Sequence, residues 1–270
     1  MADARAVPPT PEQIGQVVAA VRATHPLVHC ITNGVVANVT ANVLLAAGAA
    51  PAMVEAPEEA GVLAGVAGAL LINLGTLTTP QVDGMRVAIA AANTAGVPWV
   101  LDPVAIGALP LRTAVAGEFA RLGPAVIRGN ASEIAALVGG AGGRGVDSTT
   151  TPDEITDVVA DVAREFGTVV AASGPVDLIT DGTRTVRVAS GHPLLTRVTG
   201  VGCSLGALIG ACLAVGDDAV LAAAAATAWM CVAGEQAAEK ATGPGSFAVA
   251  LLDGLDGLDP AAVGARGGVR

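Results

Sequence analysis

The chain of 270 residues predicts an α/β fold, with a mostly parallel central sheet, helices on both faces and an antiparallel hairpin late in the sheet. Three observations lead there. Short, continuously apolar runs alternate with stretches of helical periodicity, which is the pattern of strands buried on both faces. The hydrophobic fraction is 52% and the charged fraction 14%, enough apolar material for a large core without disulfides. Asp181-Gly182 lies between two β-like runs and signals a hairpin.

The elements follow in order. Thr10-Pro11-Glu12-Gln13 opens a helix, with Thr10 as N-cap, Pro11 at the first position and Gln13 closing a capping box; the helix should run to about Thr24. Runs 27–32, 52–55, 69–74, 99–102, 125–128 and 168–172 read as strands, and 36–47, 58–67, 80–96, 111–120, 131–138 and 153–166 as the helices between them. Runs 176–180 and 185–188 form the hairpin, and the chain from Ser204 onward is largely helical. The insert 139–151, with five glycines and a Ser-Thr-Thr-Thr run, reads as a loop inside the alternating pattern. No repeat or shift of composition divides the chain, so one domain over 1–270 is expected, with frayed ends at about 1–9 and 260–270.

Composition removes several function classes. Aromatics make up 2% and Tyr is absent, so the core must be Ala, Val and Leu, and a base-stacking surface is hard to build. A net charge of −10 and a pI near 4.6 argue against nucleic acid as a partner. The mean hydropathy of +0.62 raises the question of a membrane. The longest apolar runs, 60–72 and 219–232, are rich in Gly and Ala and fall short of the about 20 strongly apolar residues of a span, so buried helices and no membrane are expected. The first five residues hold no apolar signal core. Cys30, Cys203, Cys212 and Cys231 show neither a CxxC pair nor zinc spacing, which suits free thiols in the cytoplasm. His25 and His29 have a metal-ligand spacing only if helical, and Pro26 with the β-like run argues against that. Lys240 is the only lysine and is followed by Ala241, which excludes a Gly-Lys-Ser/Thr phosphate loop.

The chemistry concentrates at Thr199-Gly200-Val201-Gly202-Cys203-Ser204-Leu205-Gly206, a Gly-rich turn opening into an apolar helix. The free N–H groups and partial positive charge of a helix start form an anion site. The dinucleotide fingerprint is missed by one residue, because the third glycine is Gly206. Cys203 is open to three readings: a buried small residue, a thiolate whose pKa the helix start lowers, with His192 as partner base, or a residue lining a phosphoryl-transfer site. Asp102 ends an apolar strand, where a side chain points into the ligand crevice of an open α/β sheet, although a turn or capping Asp reads the same way. Glu133, three residues after Asn130, is a capping-box residue or, with Asp102, a Mg²⁺ carboxylate acting through water. Arg128 at a strand tip is either a phosphate partner or a surface residue.

Taken together, His29-Cys30-Ile31-Thr32-Asn33, Met53 with Ala56-Pro57-Glu58-Glu59, Asn73-Leu74-Gly75-Thr76-Leu77, Leu101-Asp102-Pro103-Val104, Ile127 to Glu133, Gly191 to Thr196, Thr199 to Cys203 and Gly243-Pro244-Gly245-Ser246-Phe247 resemble the hydroxyethylthiazole kinases, thiamin-salvage enzymes of the ribokinase-like superfamily. The resemblance runs from about Ile14 to Leu255. It implies a ribokinase-like fold, ATP as co-substrate, Mg²⁺, phosphorylation of the hydroxyl of 4-methyl-5-(2-hydroxyethyl)thiazole, and a homotrimer with active sites between subunits. It further implies that Met53, Gly200, Asn33 and Val35 contact the thiazole, that Arg128 and Ser173 contact ATP, and that Asp102 and Glu133 serve the metal and phosphates. Catalysis would fall to the Gly200, Gly202 and Cys203 turn, with Cys203 where related sugar kinases carry an Asp base. Two departures stand out. The Gly-rich run after Asp-Pro-Val is here Ala105-Ile106-Gly107-Ala108-Leu109, and Val201 replaces a Thr in the turn. Another small-alcohol kinase of this superfamily would be expected to carry Asp at 203, a cysteine hydrolase would use Cys203 with His192, and a non-catalytic ligand-binding relative is a third alternative.

Overall fold

The computed structural model describes residues 7–139 and 150–270. Eight strands form one sheet in the order β2-β1-β3-β4-β5-β6-β7-β8. β1 (Leu27–Ile31), β2 (Ala50–Ala52), β3 (Ala69–Asn73), β4 (Trp99–Asp102), β5 (Val126–Asn130) and β6 (Val169–Ser173) are parallel. β7 (Asp177–Thr180) and β8 (Thr185–Val188) add the antiparallel hairpin, around a loop in which the Asp181 carboxylate accepts from the Thr183 and Arg184 amides.

α1 (Pro11–Thr24), α2 (Ala37–Ala46), α8 (Val201–Leu213) and α9 (Ala219–Lys240) pack their apolar side chains on one face of the sheet. α3 (Pro57–Ala64), α4 (Thr79–Ala95), α5 (Pro110–Ala120), α6 (Ala131–Leu137) and α7 (Thr156–Phe166, led by a 3₁₀ turn at Pro152–Ile155) cover the other. α10 (Pro244–Gly257) and α11 (Pro260–Arg266) complete the outer layer. The Thr10 capping box forms as the sequence predicts. α9 is long and apolar enough to cross a membrane by length and composition, but most of it is buried inside the fold, as a core helix is.

Three expectations need correction or restriction. The strand expected at 52–55 lies at Ala50–Ala52: β1 pairs Leu27 with Ala50, and beyond Ala52 the chain leaves the ladder, where the His29 ring takes the Val54 carbonyl at 2.6 Å. The tail expected to fray from 260 is ordered. α11 packs on α1, a Cβ at Gly264 would meet the Pro11 carbonyl, and Val269 bridges to Val188 on the edge strand. Arg22 fastens the same region by donating to the carbonyls of Leu255, Asp256 and Leu258 while lying 5.2 Å over the Trp229 ring. Residues 1–6 of the expected N-terminal fray and nearly all of the 139–151 insert lie outside the described residues.

α8 lies on β1, β3 and β4, and its glycines explain how closely. Gly202, Gly206 and Gly210 recur every four residues and so share one helix face. A Cβ at Gly210 would sit 3.4 Å from Val28 and 3.6 Å from Ala69, and one at Gly206 would sit 3.0 Å from Leu71. Gly206, which spoils a dinucleotide fingerprint, thus serves to seat the helix on the sheet, and the N-terminus of α8 ends over the carboxyl tips of the central strands.

Candidate active site

Parallel strands place their carboxyl ends side by side, so residues far apart in sequence meet there. Asn73 ends β3 and Asp102 ends β4 in direct register. Arg128 lies in β5 and Ser173 ends β6. The first turn of α8 closes the group, and a Cβ at Gly206 would lie 3.7 Å from Asp102 Oδ2.

Asp102 is fully buried. Its Oδ2 accepts from Asn73 Nδ2 at 2.8 Å and lies 3.7 Å from Arg128 Nη1, while Oδ1 has no partner. Burial pushes this carboxyl up to about 7; Arg128 pulls the other way and the nearby Glu133 adds to the rise. Arg128 donates to Ser173 Oγ at 3.0 Å, and its Nε is also buried without a partner. Polar atoms of this kind are rare in a finished interior and mark places where a ligand or ion completes the structure. Asp102 Oδ1 is a hard, anionic oxygen of the type Mg²⁺ prefers, so the residues fit the metal.

Glu133 is committed on both oxygens. Oε1 accepts from the Ala105 amide at 2.8 Å and Oε2 from the Asn130 amide at 2.9 Å, the latter closing the capping box of α6. Its reach toward a metal therefore runs through remaining lone pairs or water. Ala105 adopts φ 58°, the left-handed region that a glycine would occupy without strain. The departure at Ala105 thus falls on a backbone position where the missing glycine has a conformational cost, and the bond to Glu133 holds it there.

Cys203 is half-buried, and its Sγ lies 3.6 Å from Asn33 Nδ2. Burial, then the charge of Asp102, push the thiol up to about 11. This corrects the reading of a thiol lowered by the helix start: the low-dielectric surroundings and the adjacent carboxylate raise it instead. The proposed partner base is occupied elsewhere. His192 Nδ1 accepts the Leu194 amide as cap of a 3₁₀ turn (Pro193–Arg197), and its ring centroid lies 6.5 Å from that of Phe247.

Gly200 has φ 92° as N-cap of α8, and a Cβ there would press 3.2 Å from Val36 and 3.3 Å from Val39 of the α2 region. The turn needs glycine for both reasons. Among the described residues no side chain caps α8, so its first N–H groups stay available to an anion. Asn33 is buried beside this turn, whereas Met53 and Val35 are exposed, Val35 at 64%. Neither histidine of the 25/29 pair faces a metal cluster among the described residues: His25 is the left-handed C-cap of α1, and His29 holds Val54.

Sequence reasoning assigned no role to Asn73 or Asp177. Asn73 is fully buried, accepts from Asn33 Nδ2 at 2.9 Å and the Gly75 amide at 3.0 Å, and donates to Asp102. Its signal was a single polar residue closing the apolar run Ala69–Asn73. Asp177 accepts the Gly174 amide at 2.9 Å, and burial pushes its carboxyl up to about 6. It follows a turn after β6, and nothing in sequence separates it from an ordinary turn Asp.

A model of the hydroxyethylthiazole kinase family matches residues 18–261. The chain is 55% identical over 240 residues to a hydroxyethylthiazole kinase of Clavibacter sepedonicus, covering 88% of this chain and 87% of that one. It is also 55% identical to one of Cronobacter sakazakii, covering 88% and 91%. The solved structure of a hydroxyethylthiazole kinase protein from Pyrococcus horikoshii OT3 superposes with a TM-score of 0.89 at 42% identity, covering 96% of this chain and 98% of that one. A ribokinase-like superfamily protein from Enterococcus faecalis, 12% identical with a TM-score of 0.64 and covering 92% and 94%, shares the fold. The fold is ribokinase-like, and the chain belongs to the hydroxyethylthiazole kinase family.

Proposed function

We propose that the protein transfers the γ-phosphoryl group of ATP to the primary hydroxyl of 4-methyl-5-(2-hydroxyethyl)thiazole, in thiamin salvage. The observation that carries the reading is the buried Asp102, with Oδ1 unpartnered, set between Arg128 and the uncapped start of α8. The alcohol oxygen forms a bond to the γ-phosphorus as the bond to the bridging oxygen breaks. ADP leaves with that electron pair, and the hydroxyl proton passes to the phosphoryl oxygens or water. Little covalent chemistry falls to the protein, whose work is positioning and charge neutralisation. Arg128, steadied by Ser173, pairs with phosphate oxygens, and the first amides of α8 receive the transferring group. Asp102, with Glu133 through water, would hold Mg²⁺, whose charge offsets that of the phosphates. Cys203 keeps its proton and lines the acceptor site. Gly200 and Gly202 let the helix start approach the reacting groups.

A homotrimer with sites between subunits suits the exposed Val35, Leu45, Met53, Val62 and Val66, all on segments flanking the edge strand β2. Val35 and Met53 would then reach the thiazole within an assembled site. The chain is one domain on this reading, with both apolar layers sharing one sheet. Its four cysteines are free, which suits the cytoplasm. The test is ADP release with the thiazole alcohol, with and without Mg²⁺. ATP-, alcohol- and metal-dependent turnover is expected. No turnover under any metal condition overturns the assignment, and alkylation-sensitive hydrolysis without ATP would favour the cysteine hydrolase.

A further inference from the structure

Hydrogen bonds cross the floor of the site with a fixed polarity. The Gly75 amide donates to Asn73 Oδ1 at 3.0 Å, Asn33 Nδ2 donates to the same oxygen at 2.9 Å, and Asn73 Nδ2 donates to Asp102 Oδ2 at 2.8 Å. A backbone N–H can only donate, so Asn73 must turn its oxygen toward Gly75 and Asn33, and its NH₂ toward the carboxylate. Asn33 must then present its own NH₂ to Asn73, because the flipped amide would set two carbonyl oxygens at 2.9 Å. The Asn33 NH₂ also lies 3.6 Å from Cys203 Sγ. Both donors of Asn33 thus face inward. Among the described residues its Oδ1 accepts no hydrogen bond, and it is not among the buried unpartnered atoms, so it keeps contact with solvent. The pair is held tightly from behind: a Cβ at Gly75 would fall 2.5 Å from Asn33 Nδ2.

We propose that Asn73 is a positioning residue that locks the Asn33 carboxamide with its oxygen outward, and that Asn33 Oδ1 receives the hydroxyl hydrogen of the alcohol substrate. This rests on the kinase reading above. An amide oxygen does not remove the proton; it fixes the O–H direction and leaves the oxygen lone pairs for attack. The specificity that follows is for an acceptor with a donating hydroxyl. Asn33 has no free N–H with which to serve a ligand that offers only acceptors.

The test compares binding of the thiazole alcohol with that of 5-ethyl-4-methylthiazole, the same ring without the hydroxyl, by calorimetry in the absence of ATP and metal. The wild-type protein should prefer the alcohol by about 10-fold, the size of one hydrogen bond. Asn73→Leu, close in shape, should bring the ratio to about 1 while the ethyl compound binds within about 2-fold of its wild-type affinity. A purely structural Asn73 would weaken both ligands together. Asn73→Ser, which keeps a small polar group, supplies the same ratio where the Leu variant does not fold. Asn33→Leu should also abolish the preference. A folded Asn73 variant that retains the 10-fold ratio, or a wild-type ratio near 1, overturns the proposal. A wild-type protein that binds neither ring removes the kinase reading itself, which is a separate result.

Discussion

Gly202→Ala measures how much of the site depends on the close seat of α8. An ideal Cβ at this position would lie 2.8 Å from Arg128 Nη1, 3.0 Å from Nη2 and 3.2 Å from Cζ. The helix is held against the sheet from behind, because α2 and α9 pack on it. The guanidinium therefore moves. It gives up the 3.0 Å bond to Ser173 and the 3.7 Å approach to Asp102, and with them the position that the proposed contact with ATP requires. A hydrogen bond to a charged group contributes about 1.5–3 kcal/mol, so kcat/KM for ATP should fall about 10- to 150-fold. Stability should barely change, since Ala is preferred over Gly in a helix by up to about 1 kcal/mol and offsets part of the lost pairing. The assay is coupled ADP release with ATP varied at saturating alcohol, alongside a thermal melt. A folded variant with kcat/KM for ATP within about 2-fold of wild type would show either that α8 yields or that Arg128 does not contact the phosphates.

The remaining predictions concern pH, the thiol and the tail. Asp102 titrates near 7 in the folded protein and near 4 once unfolded, so between these values the native state holds a proton the unfolded chain has lost. Stability of the ligand-free protein should therefore fall as pH rises through about 4 to 7; Asp177, near 6, acts with the same sign. Asp102→Asn should flatten the melting-temperature curve between about pH 6 and 7, and parallel curves would refute the assignment. Cys203→Ser should slow turnover yet leave a measurable kinase, and complete inactivity of a folded, substrate-binding variant would make the thiol essential. With its thiol near 11 rather than 9, Cys203 should react with iodoacetamide at pH 7.5 about 100-fold more slowly than an exposed cysteine, read by mass spectrometry. Arg22→Ala removes three donations to carbonyls and the stacking on Trp229, at a cost of about 3 kcal/mol. A melting temperature lowered by about 6–12 °C is expected, and an unchanged melt would return the tail to the status of a loose end.

The sequence made the sheet legible because its signals are local. Trp99–Asp102 and Thr185–Val188 are apolar or alternating runs bounded by turn residues, and they fold as read. The 52–55 strand was misplaced because it is an edge: Ala50 pairs with Leu27 only through tertiary register, and the Val-Glu pair that looked β-like answers to His29 and Gly84 instead. The ordering of the tail was hidden for a similar reason. Gly264 fits against the Pro11 carbonyl, and Arg22 reaches three carbonyls more than 230 residues away in the chain. At the site, the charged residues Asp102, Arg128 and Glu133 were visible from their places at strand tips. Asn73 was not, because an asparagine closing a strand carries no sign of what its amide will meet.

The environment of Cys203 constrains how the site handles the acceptor proton. Among the described residues, neither Cys203 nor Asn33 offers a ready base to the acceptor in the ligand-free protein. The thiol is pushed up and the Asn33 amide has no basic nitrogen, while the buried unpartnered oxygen of Asp102 is the one a metal would take. A strong base matters most where the nucleophile must be ionised before bond formation. In a loose phosphoryl transfer the hydroxyl remains nearly neutral until late, and charge collects on the transferring oxygens. On the proposed function those oxygens would meet the uncapped amides of α8 and the Arg128 guanidinium. On the proposed function the catalytic weight therefore falls on where α8 sits, and the 202/206/210 glycine face lets it sit close on the sheet. On this argument a protonated cysteine at 203 is a tolerable neighbour for the acceptor, whereas a side chain at 202 is not.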